Sequence, residues 1–382
     1  MRLDGKVIFI ISYENWGKML MSKHHYAIEL GKVGNQVYFI NHPDKRKEFK
    51  RGEVKVQATD SENVSVVRHR LVHPYFLKFK FKLLYNFLTS FHIRNILKTV
   101  GRLPDVVWSF DTGNTLPLKY FPASAIKIYM PVDGPFGHED EKRSAEESDV
   151  IVSVTDRILN TYSGFDKPKF QINHGVASVF LNAVGTEKKN DGLRVGYSGS
   201  LIRNDLDTDC FLKIIKEHLD IIFEFWGEHD YKNSNIHLPQ DVLSDTLVFI
   251  DTLRTLPNVI LHGPVTSETL ADGLIKMDVL LICYRIRNDQ NHHKVLEYLG
   301  TGKVIVSNYM SSYKDEDPDL IYMVKSKEGN DEMPELFRTI IGNIVHYNSE
   351  DFCTRRKMFA GQYSYSNNIK RIEDFLSAHD PD

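Results

Sequence analysis

The chain has 382 residues, 42% of them hydrophobic and 26% charged, with a net charge of −3. At roughly 100–200 residues per domain, two domains fit best, and this balance excludes a wholly disordered protein. Three cysteines, Cys210, Cys283 and Cys353, are too few and too scattered for a disulfide framework or a paired-cysteine zinc site, so no metal centre is expected.

Taken in chain order, short apolar runs alternate with helical patterns. Strands are predicted at 7–11 and 36–40 around a helix at 18–33, which Gly34-Asn35 stops. A third strand follows at 64–68 and one long helix at 75–99. Further strands are predicted at 105–109, 125–130, 150–154 and 169–172. A polar break at 185–192 is the linker candidate, after which the pattern restarts with strands at 193–197, 221–226, 258–262, 279–283 and 304–307. The segment 351–376 reads as mostly helical. The repeated strand–helix order predicts an α/β fold with parallel sheets covered on both faces. With no cationic-then-apolar leader at the start, a cytoplasmic location is expected. The longest uncharged apolar stretch, 83–93, is about half the roughly 20 residues of a spanning helix.

Charge is unevenly spread. Residues 45–102 hold 14 Lys or Arg against 4 Asp or Glu, which suggests an anionic partner near the first domain. Phe76, Phe79, Phe81, Phe87 and Phe91 interleave the second half, with Lys78, Lys80 and Lys82 alternating among them. That mixture suits a helix lying on an anionic membrane surface; a core-facing helix with snorkelling lysines is the other reading. No nucleic-acid motif accompanies the charge, so nucleic acid is not an expected partner.

The second half holds the most informative segment. After the strand at 279–283, a polar loop enters a helix near His292 that stops at Gly302 before another strand. Lys294 and Glu297 share a face near the helix start, where free amides favour phosphate and a carboxylate can accept from ribose hydroxyls. Lys-x-x-Glu alone is common and usually a solvated pair. Set between two buried strands, Lys294-Val-Leu-Glu297-Tyr-Leu-Gly-Thr-Gly302-Lys-Val-Ile-Val306 resembles the donor-site signature of GT-B glycosyltransferases, particularly the large retaining family four. That family has two Glu residues eight apart. Glu297 matches the second, and Asp289 stands where the first is usually Glu; the usual glycine-rich stretch is missing from this loop.

Other segments resemble the family in the same order. Arg194-Val-Gly-Tyr-Ser-Gly199-Ser-Leu-Ile-Arg203 is similar to its first donor-domain strand and glycine turn, and Asn258-Val-Ile-Leu-His-Gly263 to its segment beside the nucleotide base. Ile172-Asn-His-Gly175-Val176 with Phe180, and Ser148-Asp149 before a strand, resemble elements of its first domain. The resemblance implies two Rossmann-like domains facing a central cleft: an acceptor-side domain at 1–184, a donor domain at 193–360, and a helix at 361–382 returning toward the first. It implies a metal-independent, retaining transferase with no cofactor, using a UDP- or GDP-sugar as substrate and a glycan or lipid-linked acceptor. Gly199, Ser200, Arg203, His262, Gly263, Lys294, Val295 and Glu297 would bind the donor. Asp133, Asp289 and His25 are the candidate catalytic groups. Family likeness to lipid-modifying enzymes adds weight to peripheral membrane contact at the basic, aromatic segment.

Several alternatives stay open. A nucleotide-sugar epimerase or a non-catalytic subunit of the same fold would share the nucleotide site. Asp205-Leu-Asp207 and Asp315-Glu-Asp317 fit a metal-binding Asp-x-Asp, but in the wrong architecture. A dinucleotide oxidoreductase is disfavoured, because no Gly-x-Gly-x-x-Gly follows either opening strand.

Overall fold

A computed structural model of the chain describes residues 2–44, 49–132, 138–184, 192–230, 242, 244–285 and 292–379. They form two compact units, Met1–Asn173 with Tyr365–Asp382, and His174–Ser364. These divisions stand beside the expected 184, 193 and 361. The segment after Asn173 joins the second unit because Val176, Phe180 and Leu181 lie against Gly300, where an added Cβ would meet them at 3.3–3.4 Å.

In chain order the first unit holds β1 (Val7–Ile11), α1 (Ser22–Lys32), β2 (Gln36–Ile40), β3 (Val54–Ala58) and β4 (Val64–His69). Next come α2 (Leu77–Lys80), α3 (Lys82–Val100), β5 (Val106–Ser109), β6 (Ile126–Tyr129) and α4 (Glu139–Glu147). β7 (Val150–Ser153), α5 (Asp156–Asn160) and β8 (Lys169–Gln171) follow. The sheet runs β3-β4-β2-β1-β5-β6-β7-β8, parallel throughout except for the β3–β4 pair. Its central strands are continuous apolar runs, as a parallel sheet covered on both faces requires. β3 was not expected. Its Val-Lys-Val-Gln-Ala sequence is largely exposed, a charged edge strand that discourages further pairing.

The long helix expected at 75–99 is two, broken at Phe81 (φ −138°, ψ 65°). α3 turns Tyr85, Thr89, His92, Ile93 and Ile96 into the core. Its opposite face carries Leu83, Phe87 and Phe91 in the open, four residues apart. The expected row of solvent-facing lysines needs correction. Lys78 is buried, its ammonium bonded to the Gly113 carbonyl and paired with Asp140 at 3.0 Å, because α2 folds it back over that loop. Lys80 faces solvent, and Lys82 is half-buried and paired with Glu139 at 3.1 Å.

The second unit begins with α6 (Ser178–Leu181), β9 (Arg194–Ser198), α7 (Thr208–Glu217), β10 (Ile222–Trp226) and α8 (Ser244–Thr255). It continues with β11 (Val259–Gly263), α9 (Ser267–Leu274), β12 (Val279–Ile282), α10 (His293–Thr301), β13 (Val304–Ser307) and β14 (Tyr322–Met323). α11 (Met333–Gly342), α12 (Ile344–Tyr347) and α13 (Glu350–Gly361) complete it. Its sheet is wholly parallel, ordered β11-β10-β9-β12-β13-β14. This is the strand order of dinucleotide-binding sheets, and the direction of winding reverses between β9 and β12.

The last helix, α14 (Tyr365–Ala378), belongs to the first unit. Tyr365 stacks on His25 of α1 with ring centres 5.0 Å apart, and Phe375 stacks on Phe170 at 4.7 Å. Among the described residues no helix is long and apolar enough to cross a membrane.

One buried cation ties the end of the second unit together. Arg356 is fully buried and donates to the carbonyls of Asp319, Gly302 and Tyr347 at 2.9–3.3 Å. Arg356→Leu leaves these acceptors unpaired, so we expect a loss of about 3 kcal/mol or more, measured as a lower urea midpoint.

Candidate functional site

Parallel strands end together, so the turns after β9, β10 and β11 lie side by side at one edge of the second sheet. Their backbones interlock. Gly199 N donates to Trp226 O at 2.7 Å, Leu201 N to Glu228 O at 2.8 Å and Gly227 N to Gly263 O at 2.9 Å. Gly199 (φ 135°) and Gly227 (φ 141°) adopt backbone that side chains rarely reach. A Cβ on Gly227 would sit 2.1 Å from the Gly199 carbonyl oxygen, and one on Gly199 would sit 2.5 Å from Lys294 Nζ. Only glycine fits either place.

Lys294 arrives from the first turn of α10. Its ammonium donates to the Ser198 carbonyl and lies 4.2 Å from the centre of the Tyr197 ring and 5.1 Å from that of Tyr284. Burial holds its pKa below the ordinary lysine value. Tyr298, one turn further along α10, accepts from Ser198 N at 2.6 Å, so the helix grips the end of β9 twice. Tyr284, just past β12, stacks on His292 at 4.4 Å and meets the Tyr197 hydroxyl at 3.3 Å. Burial, then the charges of Arg203 and Lys294, push His292 down to about 3, so it is neutral at ordinary pH. Arg203 lies 5.1 Å from the Tyr284 ring and directs its fork at Asp205, at 2.8 and 2.6 Å.

Glu297 sits beside Lys294, almost fully buried, with His293 Nε2 4.0 Å away. Burial raises its carboxyl to about 7, with Lys294 pulling the other way. The Ser200 N–H has no partner among the described residues, while its hydroxyl accepts from Ile202 N at 3.1 Å to shape the turn.

The structure thus gathers Gly199, Ser200, Arg203, Lys294 and Glu297 around one strand end. Val295 is a buried packing residue of α10. Gly263 takes part through its carbonyl. His262 lies on the sheet face, 2.7 Å from Glu224 and stacked on Trp226 at 4.7 Å. His25 lies in the first unit under Tyr365, 7% exposed. Asp133 and Asp289 fall outside the described residues. Asp207 caps α7, accepting from Cys210 N at 3.1 Å, and Asp317 pairs with Arg355. Among the described residues, no group of three or more His, Cys, Asp or Glu is placed to hold a metal.

Sequence reasoning missed Tyr284, Tyr298, His292 and Glu228. Glu228 follows Gly227 as Ser200 follows Gly199, and that repeated position after a strand-ending glycine was the available signal. Its carboxylate is 4% exposed, and its Oε2 has no partner among the described residues.

Solved structures with the same architecture cover nearly the whole chain. Sucrose-phosphate synthase from Thermosynechococcus elongatus superposes with a TM-score of 0.69 at 10% identity, covering 98% of this chain and 100% of that one. Anabaena HepE (Alr3699), solved in complex with UDP-glucose, gives the same TM-score, identity and coverage. WaaG, a glycosyltransferase involved in lipopolysaccharide biosynthesis, gives 0.61 at 11% identity, covering 97% and 100%. No family model and no curated protein matches the sequence. The fold is that of the two-domain GT-B glycosyltransferases.

The Glu297 environment has a measurable consequence. Its carboxyl binds a proton more tightly folded, at about 7, than at its ordinary 4.5, so ionisation opposes folding. Stability is unpenalised below pH 4.5 and falls by up to about 3 kcal/mol as pH rises to 7. Glu297→Gln removes this term. We expect the melting temperature of the variant, relative to the parent, to be higher at pH 8 than at pH 5; a constant difference would refute the buried ionisation.

Proposed function

We propose that the chain is a glycosyltransferase that moves a sugar from a nucleoside-diphosphate sugar to a glycan or lipid-linked acceptor. The observation that carries this is the buried Lys294 ammonium pressed onto the Gly199 turn, at the strand-order reversal where such sheets bind nucleotides. Breaking the sugar–phosphate bond leaves negative charge on the diphosphate, and stabilising that charge is the main demand on the protein. Lys294, the unpartnered Ser200 N–H and the first turn of α10 supply it. Arg203 adds a guanidinium fork once a phosphate competes with Asp205. Glu297, or Glu228 from the neighbouring turn, accepts from ribose hydroxyls. The complex of Anabaena HepE with UDP-glucose, on the same fold, supports a UDP-sugar donor. Retention would need a carboxylate at Asp289 near the sugar.

Titration calorimetry with UDP and with GDP tests the donor site. Saturable binding of at least one is expected, weakened roughly tenfold or more by Lys294→Met, which removes a charge-assisted contact. A protein that binds no nucleoside diphosphate is not a transferase of this kind.

We further propose that the acceptor is met at an anionic membrane surface. Leu83 and Phe79 are 87% and 75% exposed, and Phe76, Phe81, Phe87 and Phe91 about half exposed, on the unpacked side of α2 and α3. An apolar face of this size is uncommon on a protein that stays free in water. Lys80 stands exposed among these side chains while Lys82 is paired with Glu139, and each free cation near an anionic leaflet adds about 1 kcal/mol. The protein should sediment with anionic vesicles at low salt and be released as salt rises. Phe79→Ser with Leu83→Ser should abolish sedimentation and leave UDP binding intact. Equal recovery with neutral and anionic vesicles would instead indicate a soluble acceptor.

A further inference from the structure

The first unit holds a cavity of about 180 Å³, lined by His42, Arg51, Arg70, His73 and Tyr75 among others. It opens where β2 and β4 end, so loops after two adjacent parallel strands build it. Its chemistry is cationic. Asp44 is the one carboxylate among its described lining residues, and Arg68 engages it at 2.6 Å. Arg70 is held in place, its guanidinium on the Phe49 carbonyl and its amide on Glu53 O at 3.0 Å. Arg51 has no partner among the described residues.

His73 lines the same cavity. It is 5% exposed, and its Nε2 lies 3.3 Å from the Thr89 hydroxyl. That hydroxyl gives its own proton to Tyr85 O at 2.8 Å, so His73 must donate from Nε2. Its Nδ1 is then a buried acceptor without a partner. Such an atom is costly unless something satisfies it. Arg51 is close enough that, after burial, its charge helps keep His73 neutral.

Size and surroundings narrow the ligand. At roughly 30 Å³ per water the cavity holds about six waters, less than the roughly 300 Å³ of a site that encloses a whole small molecule. It suits one headgroup. Tyr75 in its wall packs against Phe79 with ring centres 5.8 Å apart, so the cavity adjoins the exposed aromatic face.

We propose that this cavity binds a phosphate monoester, with Arg51 and Arg70 on the phosphate oxygens and the His73 ring in the wall. Guanidinium forks match phosphate geometry. The inference rests on the transferase reading for its purpose, since the phosphate would be that of the acceptor or of an adjoining lipid, but its chemistry stands alone.

Calorimetry on the full chain with glycerol 3-phosphate, and with glycerol as control, tests it. Sedimentation with phosphatidylcholine vesicles containing phosphatidic acid, against vesicles of matched charge made with phosphatidylglycerol, tests the lipid source. We expect saturable binding of the monoester that Arg51→Gln weakens roughly tenfold, with Arg51→Lys intermediate. Arg51 is exposed and unpartnered, so its variants fold. Binding of glycerol 3-phosphate assigns a soluble phosphate ester. A preference for phosphatidic acid without it assigns a lipid headgroup. No monoester binding in either format, or a response that Arg51→Gln leaves unchanged, overturns the site. UDP titration in parallel separates the readings, because its loss removes the donor and leaves this cavity standing.

Discussion

Everything at the edge of the second sheet is arranged around one dehydrated ammonium. Taking a lysine charge out of water is expensive unless it finds partners. Lys294 finds a carbonyl and two ring faces, none of which carries a full negative charge. The Glu297 carboxyl beside it, raised by burial to about 7, offsets that charge only where it ionises. The arrangement also fixes the neighbours of Lys294: Gly199 and Gly227 have no room for a side chain, Tyr197 and Tyr284 present their faces, and Tyr298 holds α10 at the height that brings the ammonium to the turn. A diphosphate is the kind of ligand that suits such a cation.

The first unit solves a different problem, that of one helix serving two solvents. α3 packs apolar residues into the core on one side and leaves others exposed on the opposite side. Tyr85, Ile93 and Ile96 pack on the sheet while Leu83, Phe87 and Phe91 point away from it. Periodicity could not choose between the core-facing and surface-lying readings, since apolar residues occur all round the helix. The same reasoning explains Lys78. It alternates with Lys80 and Lys82 in the sequence, but the break at Phe81 gives α2 its own direction, and Lys78 turns in to meet Asp140.

The buried strands were legible because parallel sheets demand unbroken apolar runs such as Val-Ile-Phe-Ile-Ile and Val-Ile-Val-Ser. β3 was not, since an exposed edge strand leaves no hydrophobic signature. Within the site, Lys294 and Glu297 could be found from their spacing near a helix start, and Gly199 from the family resemblance of its segment. Tyr284 and Tyr298 could not: an aromatic residue beside a buried strand reads as core, and only the fold reveals that the Tyr284 ring faces a charge and the Tyr298 hydroxyl holds a strand end. His25 shows the reverse, a residue type suited to catalysis that is occupied in stacking on Tyr365, almost the whole chain away.

That distance matters while the protein is being made. The first unit is closed by its last helix: Leu3 N bonds the Glu373 carboxylate, and Tyr365, Ile369, Ile372 and Leu376 are all buried in α14. On the ribosome the sheet that receives them is finished by Asn173, and the intervening residues must then be added before α14 exists. At roughly 5–20 residues per second the delay is about 10 to 40 seconds. Throughout it Tyr26 and its apolar neighbours on α1 stand uncovered, so the nascent chain carries a sticky surface long after most of its sheet has formed. The second unit, continuous in sequence, has no such wait.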